Sequence, residues 1–478
     1  MANDSDICEG SERPLVLEID RTLLRTDLFF ESVWLALATN FWATLRALLS
    51  CCLCPAVLKR RLLDIAMPDV ELSPVNENIL ARALKVRVQG RAVHLVSGND
   101  QALVDAVGAR FGFVGPHFGS DGMRNLIKQA KADLLVQRFG QAGYDYAGHS
   151  ADDLPSWQGA AKAIAVTHDP RVKQRLASLG IPTDLEAADR FSLKVLWKEL
   201  RPHQWIKNVL LFFPLLAMQA SDPLQYVHVA IAAVAFSLGA SAIYILNDLL
   251  DLPADRLHPE KRKRPIASGA LQVPHAMLSS VGLIALALAL VWPVSPAGAL
   301  FTLTYMASSL GYSLWLKKRR WLDVLALATL FTLRVATGAV VAQVTLPLSL
   351  SLFVFFSFLV LACVKRVTAL TRLATRDHLP GRGYGVTDLR HLGWVAHGAI
   401  LLSVVSFWTF AFSIEAMDLY TRPFVLGLAV LPFACWLLRN LRMSAKGLED
   451  YDPVVFVFHD RKGLALVAAS FVLAFCAI

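Results

Sequence analysis

Charge is sparse in this chain. Asp, Glu, Lys and Arg supply 18% of its 478 residues, against 55% that are hydrophobic. That balance excludes a disordered chain, and a mean hydropathy of +0.48 argues against a wholly soluble one. Cysteine is scarce too: there are 7, most of them in apolar runs, so neither a disulfide framework nor a zinc site is indicated. Glycine (27) and proline (22) are too few for a collagen-like chain. The first fourteen residues are polar and acidic, unlike a signal peptide.

What charge there is lies unevenly. Residues 1–200 hold 23 basic and 24 acidic side chains; residues 201–478 hold 24 and 14, and the whole chain carries +9. The excess sits in the loops of the apolar half, so it predicts membrane lipid contact and no nucleic-acid partner. Nine apolar segments fall at about 205–218, 226–247, 275–293, 298–316, 322–344, 347–364, 393–414, 423–438 and 463–478. Most approach the ~20 residues of a bilayer-crossing helix. If residues 1–190 lie in the cytoplasm, the cytoplasmic loops carry twenty basic residues, among them Arg256, Lys317, Lys365, Arg390, Arg439, Arg442, Lys446 and Lys462. The opposite loops carry one, Arg422. This bias predicts a multi-pass protein of the cytoplasmic (inner) membrane, with its N-terminal domain cytoplasmic and its C-terminus outside. Segment 191–204 is the joint. FSLKVLWKEL within it spaces Phe191, Val195, Leu196 and Leu200 as an interfacial helix would, or as a plain linker helix.

The most informative stretch follows the second span. In NDLLDLPAD, Asp248, Asp251 and Asp255 recur at three- and four-residue steps, which predicts one helical face. Unpaired carboxylates so placed repel one another. A divalent cation among them, with phosphate oxygens on its far side, removes the conflict, and hard oxygen ligands suit Mg²⁺. The plainer reading is a solvated acidic helix end. Lys261, Arg262, Lys263 and Arg264 follow at once, and acid for metal followed by base for phosphate is the layout a diphosphate needs.

NDxxDxxxD followed by KRxRPIxxG resembles the first aspartate motif of the UbiA superfamily of membrane transferases. The resemblance covers about 200–478. It implies a nine-helix bundle whose cytoplasmic loops bind a Mg²⁺-diphosphate, with Asp248, Asp251 and Asp255 as catalytic metal ligands beside Asn247, Lys261, Arg262 and Arg264. Tyr312 and Lys317, in YSLWLK, match a further family loop, and Asp323, Arg334 and Gly338 follow at the family's spacing. RPHQWIKN, with Gln204, Trp205, Lys207 and Asn208, is similar to the RPxQWxKN signature of the decaprenyl-phosphate phosphoribosyltransferase branch. That branch moves 5-phosphoribosyl from phosphoribosyl pyrophosphate to a polyprenyl phosphate.

Prenyl-transferring members carry a second aspartate-rich motif between spans six and seven. Here the acids of that loop, Asp377 and Asp388, stand eleven apart, too far for one helical face. Its Lys365, Arg366, Arg382 and Arg390 would suit a second phosphate-bearing substrate. Ala369 replaces the usual Glu of the branch. The stretch 450–462 is similar to the branch's DPxxF…RDR element, with His459 for the first Arg. Arg334 lies inside a predicted span, where an ionised side chain is costly, so it should face a cavity or pair with an acid. Asp460 faces a cytoplasmic pocket or snorkels to the headgroups; Arg439, Arg442 and Lys446 are expected on anionic lipid.

The N-terminal 190 residues read as a parallel α/β sheet. PLVLE runs into the acidic pair Glu18 and Asp20, and AVHLVS ends at Ser97. Lys131 opens KADLL, and YDYAGHSADD contains His149 and Asp153. In that order these resemble the four motifs of haloacid-dehalogenase-type phosphatases over about 12–180. The departures matter: Glu18 stands at the nucleophile's place, Arg21 at a glycine's and His149 at a metal-binding aspartate's. Asp20, Thr22, Ser97, Lys131 and Asp153 remain. A longer nucleophile, a poorer Mg²⁺ ligand and a bulky cation beside the phosphate slot predict a degenerate phosphatase site.

The expectation is therefore a two-part chain, an α/β haloacid-dehalogenase-like domain over 1–190 and an all-α membrane bundle over 205–478. The enzyme would transfer phosphoribosyl to a polyprenyl phosphate. Prenyl transfer from a prenyl diphosphate to an aromatic acceptor is the alternative. A transporter would show midplane acids or inverted repeats, and the acids here cluster at one rim instead.

Overall fold

The computed structural model describes residues 13–188, 192–372, 379, 382–448 and 460–478. The chain forms two compact units: Met1–Leu200 together with Tyr244–Ser279, and Arg201–Ile243 together with Ser280–Ile478. The division is not a single cut in the sequence. The segment bearing the acidic motif belongs to the N-terminal unit.

That unit is built on six strands: β1 (Leu15–Glu18), β2 (Val93–Asp100), β3 (Phe118–Ser120), β4 (Asp145–Gly148), β5 (Lys162–Val166) and β6 (Thr183–Glu186). All pair in parallel, in the order β3-β2-β1-β4-β5-β6. Leu15 stands opposite Val93 on one side and Asp145 on the other. Every residue of β1 is buried, as expected for a central strand covered on both faces. Leu15 and Leu17 enter the core on one face with Val104 and Ile79. Val16 enters the other with Tyr146, Trp157 and Leu135. The strand order reverses between β1 and β4, and that switch point is where open α/β sheets place their sites. After β1 the chain makes a wide turn closed by Leu24 N–H to Ile19 O at 2.9 Å. The helices Leu28–Thr39, Phe41–Ser50 and Pro55–Ile65 follow and share their own small core. Cys51 and Cys54 have CxxC spacing, yet Cys51 is buried and Cys54 exposed, and both are free thiols.

The second unit is an apolar helical bundle. Across the described residues of the chain, six helices are long and apolar enough to cross a membrane: Pro223–Leu250, Val273–Val291, Leu322–Ala342, Leu348–Thr371, Asp388–Ala411 and Pro423–Ala445. Pro296–Leu314 and Arg461–Cys476 are further apolar helices, the latter of 16 residues. The expected first span is different. Residues 202–212 form a tight 3₁₀ segment, followed by a helix of only five residues, Phe213–Ala217. Pro202 and Pro214 each open one of these pieces and lack the N–H needed to continue a preceding α-helix. Apolar composition alone concealed that break. Gly338 lets the helix Leu322–Ala342 lie directly on this segment: a Cβ there would stand 1.9 Å from Leu211 O.

Candidate functional site

The acidic motif does not continue one straight helix. Pro223–Leu250 ends at Leu250, and Asp251 caps a new short helix, Leu252–Leu257, with Pro253 in its first turn. The proline ring would collide with the carbonyl four residues back, which forces the bend. The single helical face expected for three acids is therefore replaced by a kink, and two of the acids converge. Arg264 Nη1 lies 3.0 Å from Asp248 Oδ1 and 2.5 Å from Asp255 Oδ2. Lys261 Nζ approaches Asp255 Oδ1 at 3.7 Å.

Asp248 and Asp255 are 4% and 1% exposed, and Arg264 bridges the two buried carboxylates while Lys261 lies beside Asp255. Burial raises the Asp255 pKa, and Asp248 adds to the rise while Arg264 opposes it. Among the described residues, two buried oxygens of this motif accept no hydrogen bond, Asn247 Oδ1 and Asp255 Oδ1, the latter having only the longer ion pair to Lys261. Hard oxygens with acceptor capacity to spare are the donors a divalent cation takes. Among the described residues no group of three or more His, Cys, Asp or Glu side chains is gathered to hold a metal. Lys263 pairs with Glu260 at the surface. Arg262, also predicted for the diphosphate, is exposed.

In the second unit the expected residues form two clusters. In the first, Tyr312 donates to Asp323 Oδ1 at 2.9 Å. Arg366 holds the same carboxylate through Nε and, at 3.0 Å, through Nη2. Arg382 Nη1 reaches it at 2.8 Å and the Tyr312 hydroxyl at 3.1 Å. Asp323 is fully buried. Two guanidiniums on one carboxylate leave a surplus positive charge, which suits a phosphate. Asp388, predicted as a stray acid, instead accepts from Arg320 and from Gly385 N–H. Lys317 and Lys365 are half-buried.

The second cluster surrounds Arg334. Asn208 Oδ1 accepts from its Nε at 3.2 Å, Tyr305 hydroxyl from Nη2 at 2.7 Å and Leu330 O from Nη1 at 3.2 Å. The guanidinium also lies over the rings of Tyr305 and Phe331, at 4.8 and 4.7 Å. It is 5% exposed. It therefore neither faces open space nor pairs with an acid among the described residues. Neutral acceptors and aromatic faces hold it instead. Asn208 in turn donates to Ser237, Trp205 to Ser241 and Lys207 to Gln204. Asp460 is tied to Arg439 at 2.7 and 2.9 Å, a pairing the sequence pattern did not announce. Arg376, Asp377 and the stretch 449–459, with His459, lie outside the described residues.

The phosphatase-like residues do assemble, at the carboxyl ends of β1, β2 and β4. Lys131 Nζ holds Glu18, Asp153 Oδ1 at 2.7 Å and the Tyr146 hydroxyl at 3.0 Å. Asp153 Oδ2 accepts from the amides of His149 and Ser150. Asp20 accepts from Ser97, Asn99 and the Leu28 amide, the last at 2.8 Å. Tyr146 and Asn99 were not expected in this set; each sits two residues or fewer from a motif position. Burial pushes the Lys131 pKa down, but Asp153 and Glu18 outweigh it and the net shift is upward. Burial pushes Asp153 up, yet Lys131 and His149 hold it well below the usual range. Glu18 is raised by burial, with Lys131 opposing. A buried carboxyl bound to a lysine is a poor nucleophile. Arg21 adopts φ +52, the left-handed conformation that favours glycine. Beside it a cleft of about 710 Å³ opens, lined by Arg21, Arg25, His149, Ser150, His168 and Gln272.

The UbiA prenyltransferase family model matches residues 208–459. The chain is also 32% identical, over 480 residues, to the protein y4nM of Sinorhizobium fredii, covering 98% of this chain and 92% of that one. The chain belongs to the UbiA prenyltransferase family. With its membrane-length helices, it is an integral membrane protein of that transferase family. A decaprenyl-phosphate phosphoribosyltransferase of Mycobacterium tuberculosis is 32% identical over 285 residues, covering 58% of this chain and 91% of the relative. A UbiA homologue from Archaeoglobus fulgidus, solved bound to DMAPP and Mg²⁺, aligns with a TM-score of 0.46 and 17% identity over 59% of this chain and 99% of that one.

The α/β unit offers a direct test of its buried charges. Burial, with Arg21 and Lys131 nearby, lowers the His149 pKa to about 4. An unfolded chain takes up that proton near pH 6.5, so the folded unit loses stability as pH falls from about 6.5 toward about 4. Between pH 7 and pH 5 wild type should lose about 1–2 kcal/mol more than His149→Gln. Urea-dependent pulse proteolysis within residues 13–188 of the detergent-solubilised chain measures this, and equal losses would contradict it.

Proposed function

We propose that this protein is a Mg²⁺-dependent transferase that moves 5-phosphoribosyl from phosphoribosyl pyrophosphate to a polyprenyl phosphate. The observation that carries the reading is the Arg264 bridge between Asp248 and Asp255, beside Asn247 and Asp255 oxygens that accept no hydrogen bond among the described residues. It is an acid pair with a removable internal counterion. Asp248, Asp251 and Asp255 would hold the cation. When bound, Mg²⁺ offsets the charge that grows on the leaving diphosphate. Arg264, released from the two carboxylates, turns with Lys261 and Arg262 to the diphosphate oxygens. These cations stabilise the leaving group as the bond to C1 of the ribose breaks. A phosphate oxygen of the lipid acceptor forms the new bond to C1, and pyrophosphate departs.

Support for a phosphorylated acceptor comes from the surplus charge around Asp323. Arg366 and Arg382 make that cluster a phosphate site, which a neutral aromatic acceptor would not need. The similarity to the decaprenyl-phosphate phosphoribosyltransferase of Mycobacterium tuberculosis points the same way. The basic loops favour a nine-crossing topology, with the acidic loop and the α/β unit on the cytoplasmic side of the inner membrane. The α/β unit has a haloacid-dehalogenase-like origin, and with Glu18 bound to Lys131 it does not hydrolyse phosphoesters.

Purified membranes offered radiolabelled phosphoribosyl pyrophosphate with polyprenyl phosphate, or prenyl diphosphate with an aromatic acceptor, separate the two donor chemistries. The phosphoribosyl lipid should form, and Asp248→Asn should cut its rate by about 10²–10³-fold. A simple phosphomonoester in the same preparation should stay intact. Prenylation of the aromatic acceptor with no phosphoribosyl lipid would overturn the reading.

A further inference from the structure

The acidic loop is fastened to the α/β fold by contacts far apart in sequence. Arg256 follows Asp255 in the short helix Leu252–Leu257. Its Nη1 lies 3.0 Å from Glu31 Oε2, and its Nη2 lies 2.5 Å from Glu31 Oε1. Both side chains are only 6% exposed. Arg256 Nε also reaches Ala267 O at 3.4 Å, within the same loop. Downstream, Gln272 Nε2 donates to Arg25 O at 2.8 Å. Gly269, at φ +79, comes so close to that carbonyl that a Cβ would stand 2.5 Å from it.

Glu31 is itself fixed. The Thr26 hydroxyl donates to it, and it sits in the first turn of the helix Leu28–Thr39. The Leu28 amide that opens this helix is held by Asp20. A continuous set of contacts therefore leads from Asp20, through the start of one helix, to Glu31, Arg256 and the neighbouring Asp255. The carboxylate that resembles a phosphatase residue is spent on anchoring this helix. A buried two-pronged carboxylate–guanidinium pair tolerates little displacement of either partner, so it fixes orientation as well as distance.

We propose that Glu31 is a positioning residue for the diphosphate donor, and that the α/β unit works as a mount that holds the Asp248–Arg264 loop in register through the Glu31–Arg256 pair. The inference rests on the donor-binding role proposed for that loop. It gives the N-terminal unit work that needs no turnover of its own. The match to the Mycobacterium relative takes up 91% of that protein but 58% of this chain, so the relative has no length to spare for an equivalent mount.

The test uses the full chain in lipid nanodiscs, as wild type, Glu31→Gln, Arg256→Gln, the double variant and the charge-keeping Arg256→Lys. Two readouts are taken: amide hydrogen exchange over residues 248–268, and KM for each substrate with both phosphoribosyl and prenyl diphosphates as donors. Each Gln variant should speed exchange in the loop by about 100-fold, with the double variant no faster than either single. The donor KM should rise by about 10-fold while the acceptor KM stays put, and Arg256→Lys should fall between. Exchange in β1 and β4 reports whether the sheet is intact in each variant.

Unchanged loop exchange, additive effects of the two Gln substitutions, or a loosened loop with an unmoved donor KM would each overturn the proposal. If wild type uses only the prenyl donor, the phosphoribosyl reading fails, and the mount is then judged by the prenyl donor's KM.

Discussion

Two carboxylates buried around one guanidinium are the feature on which this protein depends. Asp248 and Asp255 would repel each other without Arg264, and removing buried charge from water is costly unless each ion finds a partner. The bridge satisfies that requirement, and Lys261 lies beside Asp255 at 3.7 Å. The same rule governs the other polar centres. Asp323 is fully buried because Arg366 and Arg382 surround it. Lys131 is buried because Asp153 and Glu18 meet it. Arg334, without an acid, is accommodated by oxygen dipoles and ring faces. At Asp323 the surplus is basic, with two guanidiniums on one carboxylate.

The α/β unit gathers the residues that resemble a phosphatase site and satisfies them internally. Its sheet order and the convergence of Glu18, Asp20, Ser97 and Asp153 at the switch point still describe a place for phosphate chemistry. The side chains there now satisfy one another. Glu18 and Asp153 close on Lys131, and Asp20 fastens the start of a helix. Arg21 adopts a left-handed backbone conformation that favours glycine. Internal satisfaction favours rigidity, which is what a mounting element requires.

Much of this was legible in the sequence where the signal is local. The buried run of β1 and the long apolar helices follow from composition and spacing. The failures share a cause, since each depends on partners distant in the chain or on a proline's effect on its neighbours. The triad was read as one face because a three- and four-residue step implies a helix, but Pro253 bends the chain at Asp251. The stretch 205–218 has a span's composition, yet it is divided between a 3₁₀ segment and a five-residue helix. Arg334 was assigned an acid or a cavity because aromatic partners such as Tyr305 carry no charge for a sequence reading to match. Glu31 and Arg256 stand 225 positions apart, and nothing in either local pattern announces the other.

The most direct measurement of the central claim is Mn²⁺ electron paramagnetic resonance on the purified chain, with Mn²⁺ standing in for Mg²⁺ and phosphoribosyl pyrophosphate present or absent. The account predicts protein-bound Mn²⁺ when the diphosphate is present, and its loss in Asp255→Asn. Bound Mn²⁺ that is indifferent to that substitution would contradict it.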